Sequence, residues 1–331
     1  MNPLIFSINA VFPLILVAAF GFFSRKNNTL TDEFLKVGNK FCFKYGFFFM
    51  MFTTIYDIES FDEINWYVIL FAVIGVLLLF FIGLIYIVFF VKDPKQKGVV
   101  HQAFYRSNFA IIGMPLAMNI FGNEGLEAAA IISAFIVPLF NVLAVISLSL
   151  FVENKKESSV KFVLKEILKN PLILGVAAGL LCLAIRPFCN GWRLASSSFA
   201  FIYKASAALG NITPWLCILI LGGNFKFSGV KNYLKPILVC VPVKLIFAPI
   251  LGMGLAFYGP KLLGIPDFSG AEYTALFSLF AASEAVATVS MADQMNGDAE
   301  LAGQVVVWTT LISALTLFLW VALFRGLGIF A

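Results

Sequence analysis

In the run Arg106-Ser107-Asn108-Phe109-Ala110-Ile111-Ile112-Gly113-Met114-Pro115-Leu116-Ala117, an amide, a glycine and a proline interrupt an otherwise apolar stretch. Pro115 has no amide hydrogen and its ring clashes with the Ile111 carbonyl, while Gly113 loosens the backbone. A helix written this way is expected to break near Gly113 and Pro115, freeing carbonyls on one side and amides on the other. Hydrocarbon satisfies neither, so such a break belongs inside protein or beside a wet cavity. Freed amides and the Asn108 carboxamide, donor and acceptor at once, suit a carboxylate or an ordered water. The other reading of the same residues is a proline-kinked packing helix in which Asn108 caps freed backbone.

A second stretch carries polar chemistry inside an apolar segment: Phe280-Ala281-Ala282-Ser283-Glu284-Ala285-Val286-Ala287-Thr288-Val289-Ser290. Small residues and hydroxyls permit close helix crossing, and Ser283 and Thr288 join Asn108 as candidate substrate contacts. Glu284 is costly to bury and is therefore a functional candidate; a hydrogen-bonded structural carboxyl is the alternative. Lys44 and Lys244 are its candidate partners in charge coupling. Lys40 and Lys44 share a helix face, with Lys40 able to snorkel out and Lys44 deeper. Lys204 could pair with a buried carboxylate, and Asn141 beside Pro138 could face the same cavity or bond a neighbouring helix. Arg106 reads as an interface anchor.

The elements that must hold these residues are membrane spans. Of 331 residues, 61% are hydrophobic and 12% charged, against about a quarter charged in soluble chains. The expected fold class is an all-α integral membrane protein. Ten apolar segments fit residues 4–23, 34–56, 66–91, 102–121, 126–151, 172–185, 195–221, 234–258, 271–295 and 301–323. A tight turn at Gly122-Asn123-Glu124-Gly125 joins the fourth to the fifth. The N-terminus lacks the basic region of a signal peptide, so the first segment is expected to stay as a span. The most basic loop, 153–170, divides the chain, and within it 160–168 could form a surface helix; an acidic loop holds Asp57, Glu59, Asp62 and Glu63. Lysine and arginine concentrate in alternate loops, which sets those loops in the cytoplasm and both termini outside.

Asn2-Pro3-Leu4-Ile5 recurs as Asn170-Pro171-Leu172-Ile173, and Gly122-Asn123-Glu124 resembles Gly297-Asp298 at nearly the same offset. Together they suggest a five-span unit used twice: 1–152, a linker at 153–170, and 171–331. Five is odd, so the second copy inserts upside down, and substrate is expected where the two broken helices meet. The repeat demands a break in the ninth segment, although no proline or glycine forces one.

The residues 104–117, the Asn170-Pro171-Leu172-Ile173 opening and Gly297-Asp298-Ala299-Glu300-Leu301-Ala302 resemble the auxin efflux carrier family, along nearly the whole chain. The resemblance implies ten helices in two inverted five-helix repeats, a scaffold plus a transport bundle crossing at helices 4 and 9, and elevator-like movement of small organic anions. The family pattern has proline at the second crossover, where this chain has Ser283, and late in the second span, where it has Phe47-Phe48.

The expected function is secondary transport of a small carboxylate across the cell membrane. A proton or sodium is a candidate coupling ion, and a homodimer is compatible. A ligand-sensing membrane protein that moves nothing, or a sodium-coupled importer, are the alternatives. There is no Walker loop, GxSxG or HExxH motif, the five cysteines form no CxxC pair, and His101 is the single histidine. No enzyme, cofactor or metal site is expected. The net charge of +5 sits in short loops and reports orientation, not nucleic-acid binding.

Overall fold

The computed structural model describes residues 3–57, 65–151, 171–189, 193–224 and 230–330. The 153–170 linker, the helix expected at 160–168 and most of the acidic loop lie outside the described residues. Among those described there are helices and no strand.

The helices are α1 (Pro3–Lys26), α2 (Asp32–Phe41), α3 (Phe47–Asp57), α4 (Trp66–Phe90), α5 (Pro94–Tyr105), α6 (Met114–Ser149), α7 (Pro171–Ile185) and α8 (Ala200–Gly223). They continue as α9 (Leu234–Pro242), α10 (Ala248–Leu263), α11 (Gly270–Ala281), α12 (Ala287–Gln294) and α13 (Ala299–Gly326). Six helical stretches among the described residues are long and apolar enough to cross a bilayer: Leu4–Lys26, Trp66–Phe90, Pro94–Ser149, Ala200–Gly223, Leu234–Leu263 and Ala299–Gly326. The protein is membrane-embedded.

The starts of these helices follow from capping chemistry. Thr31 caps α2 by accepting from the Phe34 amide, and Asp93 caps α5, with Pro94 in its first turn, where a missing amide hydrogen costs nothing. The fourth segment therefore begins well before residue 102, its polar first turn extending beyond the apolar run. Ser269 and Glu272 form a reciprocal capping box at α11. Asp298 caps α13 through the Leu301 amide, and its other contacts reach Gln96 Nε2 at 3.2 Å and Tyr233 at 3.3 Å. Its own amide donates to the Lys95 carbonyl, so the starts of α5 and α13 are tied at one end of the molecule.

The reversal after the fourth segment is confined to Phe121 and Gly122, inside the span assigned to α6. Gly122 has φ +63°, which a β-carbon would strain. After the ninth segment the left-handed residue is Asn296, at φ +57°, one position before the glycine the sequence match pointed to.

Three turns widen to the π form: Cys42–Gly46, Phe109–Gly113 and Val243–Phe247. Two of them end two residues before a proline, Pro115 and Pro249. A wider turn gives the ring room against the carbonyl four residues back. Pro249 cannot donate to the Leu245 carbonyl, and Trp320 Nε1 does so instead at 3.0 Å.

Helices α1, α3, α7 and α8 pack on one another, with α3 along α7 and α1 along α8. A second set gathers α4, α5, α6, α10, α11, α12 and α13, with α11 along α6 and α4 between α5 and α10. Helix α1 also lies against α13, which joins the two sets.

Candidate functional site

The first interruption is a non-helical stretch at Arg106, Ser107 and Asn108, upstream of the expected place. Arg106 leaves the helix with φ −79° and ψ 134°. Gly113 and Met114 are helical. Pro115 thus widens the turn that follows the break and does not make the break itself. Gly113 serves close approach: a β-carbon there would stand 2.9 Å from the Ser278 carbonyl oxygen of α11.

The second interruption falls at 282–286, as the repeat demanded and without a proline. Ala282 turns extended, at ψ 150°. Hydrogen bonds from α13 hold the unwound chain. Thr309 Oγ1 accepts from the Glu284 amide at 3.1 Å, and the Ser283 and Thr310 hydroxyls lie 3.0 Å apart. The two interruptions meet directly, the Asn108 amide donating to the Ser283 carbonyl at 2.8 Å.

Charged side chains converge on this crossing. Glu284 is 0% exposed; its Oε1 accepts from Thr288 Oγ1 at 2.6 Å, and its Oε2 has no partner. Lys244, on the π turn between α9 and α10, is 0% exposed, and its Nζ has no partner. Arg106 is 3% exposed and donates to Gln102 Oε1 at 2.6 Å, Met291 Sδ at 3.0 Å and Asn141 Oδ1 at 3.3 Å. It is a buried cation of the crossing and not an interface anchor. Coulombic interaction links Glu284 to both Lys244 and Arg106. Asn108 Nδ2 is a further buried donor without a partner. Phe109, Ala110 and Ile111 begin the next helical stretch, where amides have no acceptor within the helix.

Of the residues singled out from sequence, Asn108, Gly113, Pro115, Ser283, Glu284 and Thr288 lie at or beside the crossing. Lys244 feels Glu284 electrostatically without a hydrogen bond to it, and Asn141 is joined to the crossing through Arg106. Lys44 is not brought there: it is exposed, its Nζ 5.1 Å from the Tyr45 ring centre. Lys204 is exposed as well, so Lys244 supplies the buried lysine of the arrangement. Sequence reasoning missed Arg106 and its acceptor Gln102. Their separation of four residues puts both on one helix face, which was the available signal.

Beside the crossing lies an apolar cavity of about 340 Å³. Ile112 reaches it from the turn after the first interruption and Thr310 from α13, and Leu14, Ala18, Leu221 and Leu317 supply much of its wall.

Residues 6–321 match the membrane transport protein family, the auxin efflux carrier family. The chain belongs to it. This is a family of transporters, and the match runs through both interruptions of the auxin efflux carrier chain described above. No curated protein matches the chain.

Proposed function

We propose that this auxin efflux carrier family member is a secondary transporter of small organic anions, carboxylates in particular, in the cell membrane. Alternating access occurs at the crossing of the two interrupted helices. The carrying observation is that buried donors without partners, Lys244 Nζ and Asn108 Nδ2, accompany the Arg106 guanidinium at that crossing. Buried polar groups are ordinarily satisfied, and an anion satisfies donors and cations together. The neighbouring apolar cavity suits an anion with a hydrocarbon part and suits a sugar poorly.

In this reading the chain forms ten transmembrane helices in two inverted repeats, 1–152 and 171–331, joined by a cytoplasmic linker, with both termini outside. The set around α4, α5, α6 and α10–α13 moves as a transport bundle against the scaffold of α1, α3, α7 and α8, the elevator arrangement. Glu284 and Lys244 are the coupling candidates, with a proton or sodium as the coupled ion. The test is uptake of labelled acetate, malonate and malate into proteoliposomes, with choline and glucose as controls. Saturable carboxylate uptake is expected. Binding of carboxylates without flux would instead make the protein a sensor, and saturable transport of choline or glucose alone would refute the anion reading.

A further inference from the structure

The apolar cavity of about 340 Å³ takes its walls from both helix sets. Leu14 and Ala18 of α1 and Leu221 of α8 face Leu317 of α13 and Ile112 across it. Among the described residues, two hydroxyl side chains line it, Thr310 and Ser313, and both are engaged. Thr310 Oγ1 lies 3.0 Å from the Ser283 hydroxyl, and Ser313 Oγ donates to the Thr310 carbonyl at 2.7 Å. A charged head inside would have to compete for a hydroxyl already shared with Ser283, and burying it so poorly paired is costly. Hydrocarbon needs no such partner and gains dispersion contacts along the whole wall.

The cavity opens toward the bilayer. On α1, Leu16, Phe20 and Phe23 are 63%, 67% and 58% exposed, a lipid-facing stripe at i, i+4 and i+7. Phe23 also lines the cavity, together with the half-buried Ile15 and Ala19. Hydrocarbon can thus pass from the bilayer to the interior without crossing a polar layer. One turn further on, Lys26 ends α1 and is exposed. It follows Phe22 by four residues and Phe23 by three, so it shares their helix face. Arg25 beside it is held by Asp32 at 2.5 Å and by the Leu30 carbonyl at 3.1 Å. A lysine one turn beyond a hydrocarbon slot is matched to an anionic headgroup.

We infer that this cavity is a phospholipid site: it takes one acyl chain of an anionic phospholipid whose phosphate engages Lys26. The chain lies between α1 and α8 on one side and α13 on the other, so it bridges the two helix sets. It touches Thr310, which is bonded to Ser283, and Ile112 in the turn after Asn108. Its occupancy therefore bears on the crossing by direct contact. The site is independent of the anion reading above, and carboxylate uptake is not its readout.

The test uses the full chain in detergent micelles with phosphatidylglycerol carrying a photoreactive diazirine along one acyl chain. Crosslinked residues are mapped by peptide mass spectrometry, and affinity is read from thermal-stability titrations. Crosslinks are expected on the inner wall, at Leu14, Ala18, Leu221 or Leu317, and should be lost in Ala314→Phe, which fills the cavity. Lys26→Gln alters only an exposed position and should weaken phosphatidylglycerol binding about fivefold, to the level of phosphatidylcholine. Crosslinks confined to Leu16, Phe20 and Leu315, or unchanged in a folded Ala314→Phe variant, would reveal lipid at the outer surface only and overturn the site. Equal affinity of the wild type for the two phospholipids would overturn the headgroup assignment. Displacement of inner-wall crosslinks by hexanoate, and not by unlabelled phosphatidylglycerol, would give the cavity to a carboxylate's tail. That result would overturn the lipid site while supporting the anion reading.

Discussion

The backbone amide of Asn108 and the backbone carbonyl of Ser283 are hydrogen-bonded at 2.8 Å, so each interrupted helix supplies what the other has lost. The bond uses no side-chain atom. A side-chain substitution at the crossing therefore removes neither of the two bonded atoms.

Asn108→Ala removes the unpartnered Nδ2 donor and leaves the amide bond to Ser283 in place. Uptake into proteoliposomes is expected to fall by about tenfold or more, the value of one lost charge-assisted contact. Thermal stability should fall by no more than about 1 kcal/mol, because the lost donor has no partner. Wild-type uptake in this variant would remove Asn108 from the substrate's contacts.

Pro115→Ala makes an ordinary α-turn available at 109–113. Tightening that turn rotates the chain before it and carries Asn108 away from Ser283. Loss of transport with undiminished expression and membrane insertion is expected. A variant that transports normally would show that the widened turn is held by packing alone.

Arg106→Met should impair carboxylate binding and leave the Gln102 and Asn141 acceptors unpaired. Such orphaned groups cost about 1–3 kcal/mol, visible as a lower melting temperature in detergent. Arg106→Lys keeps the charge but not the forked donor geometry that reaches three acceptors. It should recover part of the binding and little of the stability.

Asp298→Ala removes the cap of α13 and its contacts to Gln96 and Tyr233. A loss of about 0.5–2 kcal/mol in stability is expected. Asp298→Asn keeps an oxygen for the Leu301 amide and should recover most of it. Equal melting temperatures for the wild type and the alanine variant would show that this end of the molecule is held by apolar packing alone.

Orientation is testable independently. A single cysteine introduced within 153–170 of a cysteine-free variant should resist a membrane-impermeant thiol reagent in intact cells and react after lysis. Labelling of intact cells would invert the proposed topology.

Legibility in the sequence followed how locally each feature is encoded. The expected span at 66–91 matches α4 to one residue at its end, because its apolar run is uninterrupted and Asn65 caps its start. The start of α5 was missed because Lys95, Gln96 and Lys97 read as loop, although Asp93-Pro94 carries a cap signal. The second break has no local cause in Ala-Ala-Ser-Glu-Ala. It depends on Thr309 and Thr310, some twenty-five residues away in sequence. Only the repeat pointed to it. Arg106 was misread for a related reason: a lone arginine near a loop reads as an anchor until its acceptors are seen to be Gln102, Asn141 and Met291.

The widened turns have one more effect on how these helices meet their surroundings. An extra residue in a turn offsets everything beyond it by about 100° around the helix axis. A helix containing one therefore presents two stripes to the lipid, one on each side of the turn and out of phase. In the stretch from Leu234 to Leu263, Leu238 before the turn and Ile250 and Leu262 after it are all exposed, while Lys244 within it is fully buried. The phase slip lets a single span keep a greasy exterior at both ends and still turn a charged residue inward at its middle.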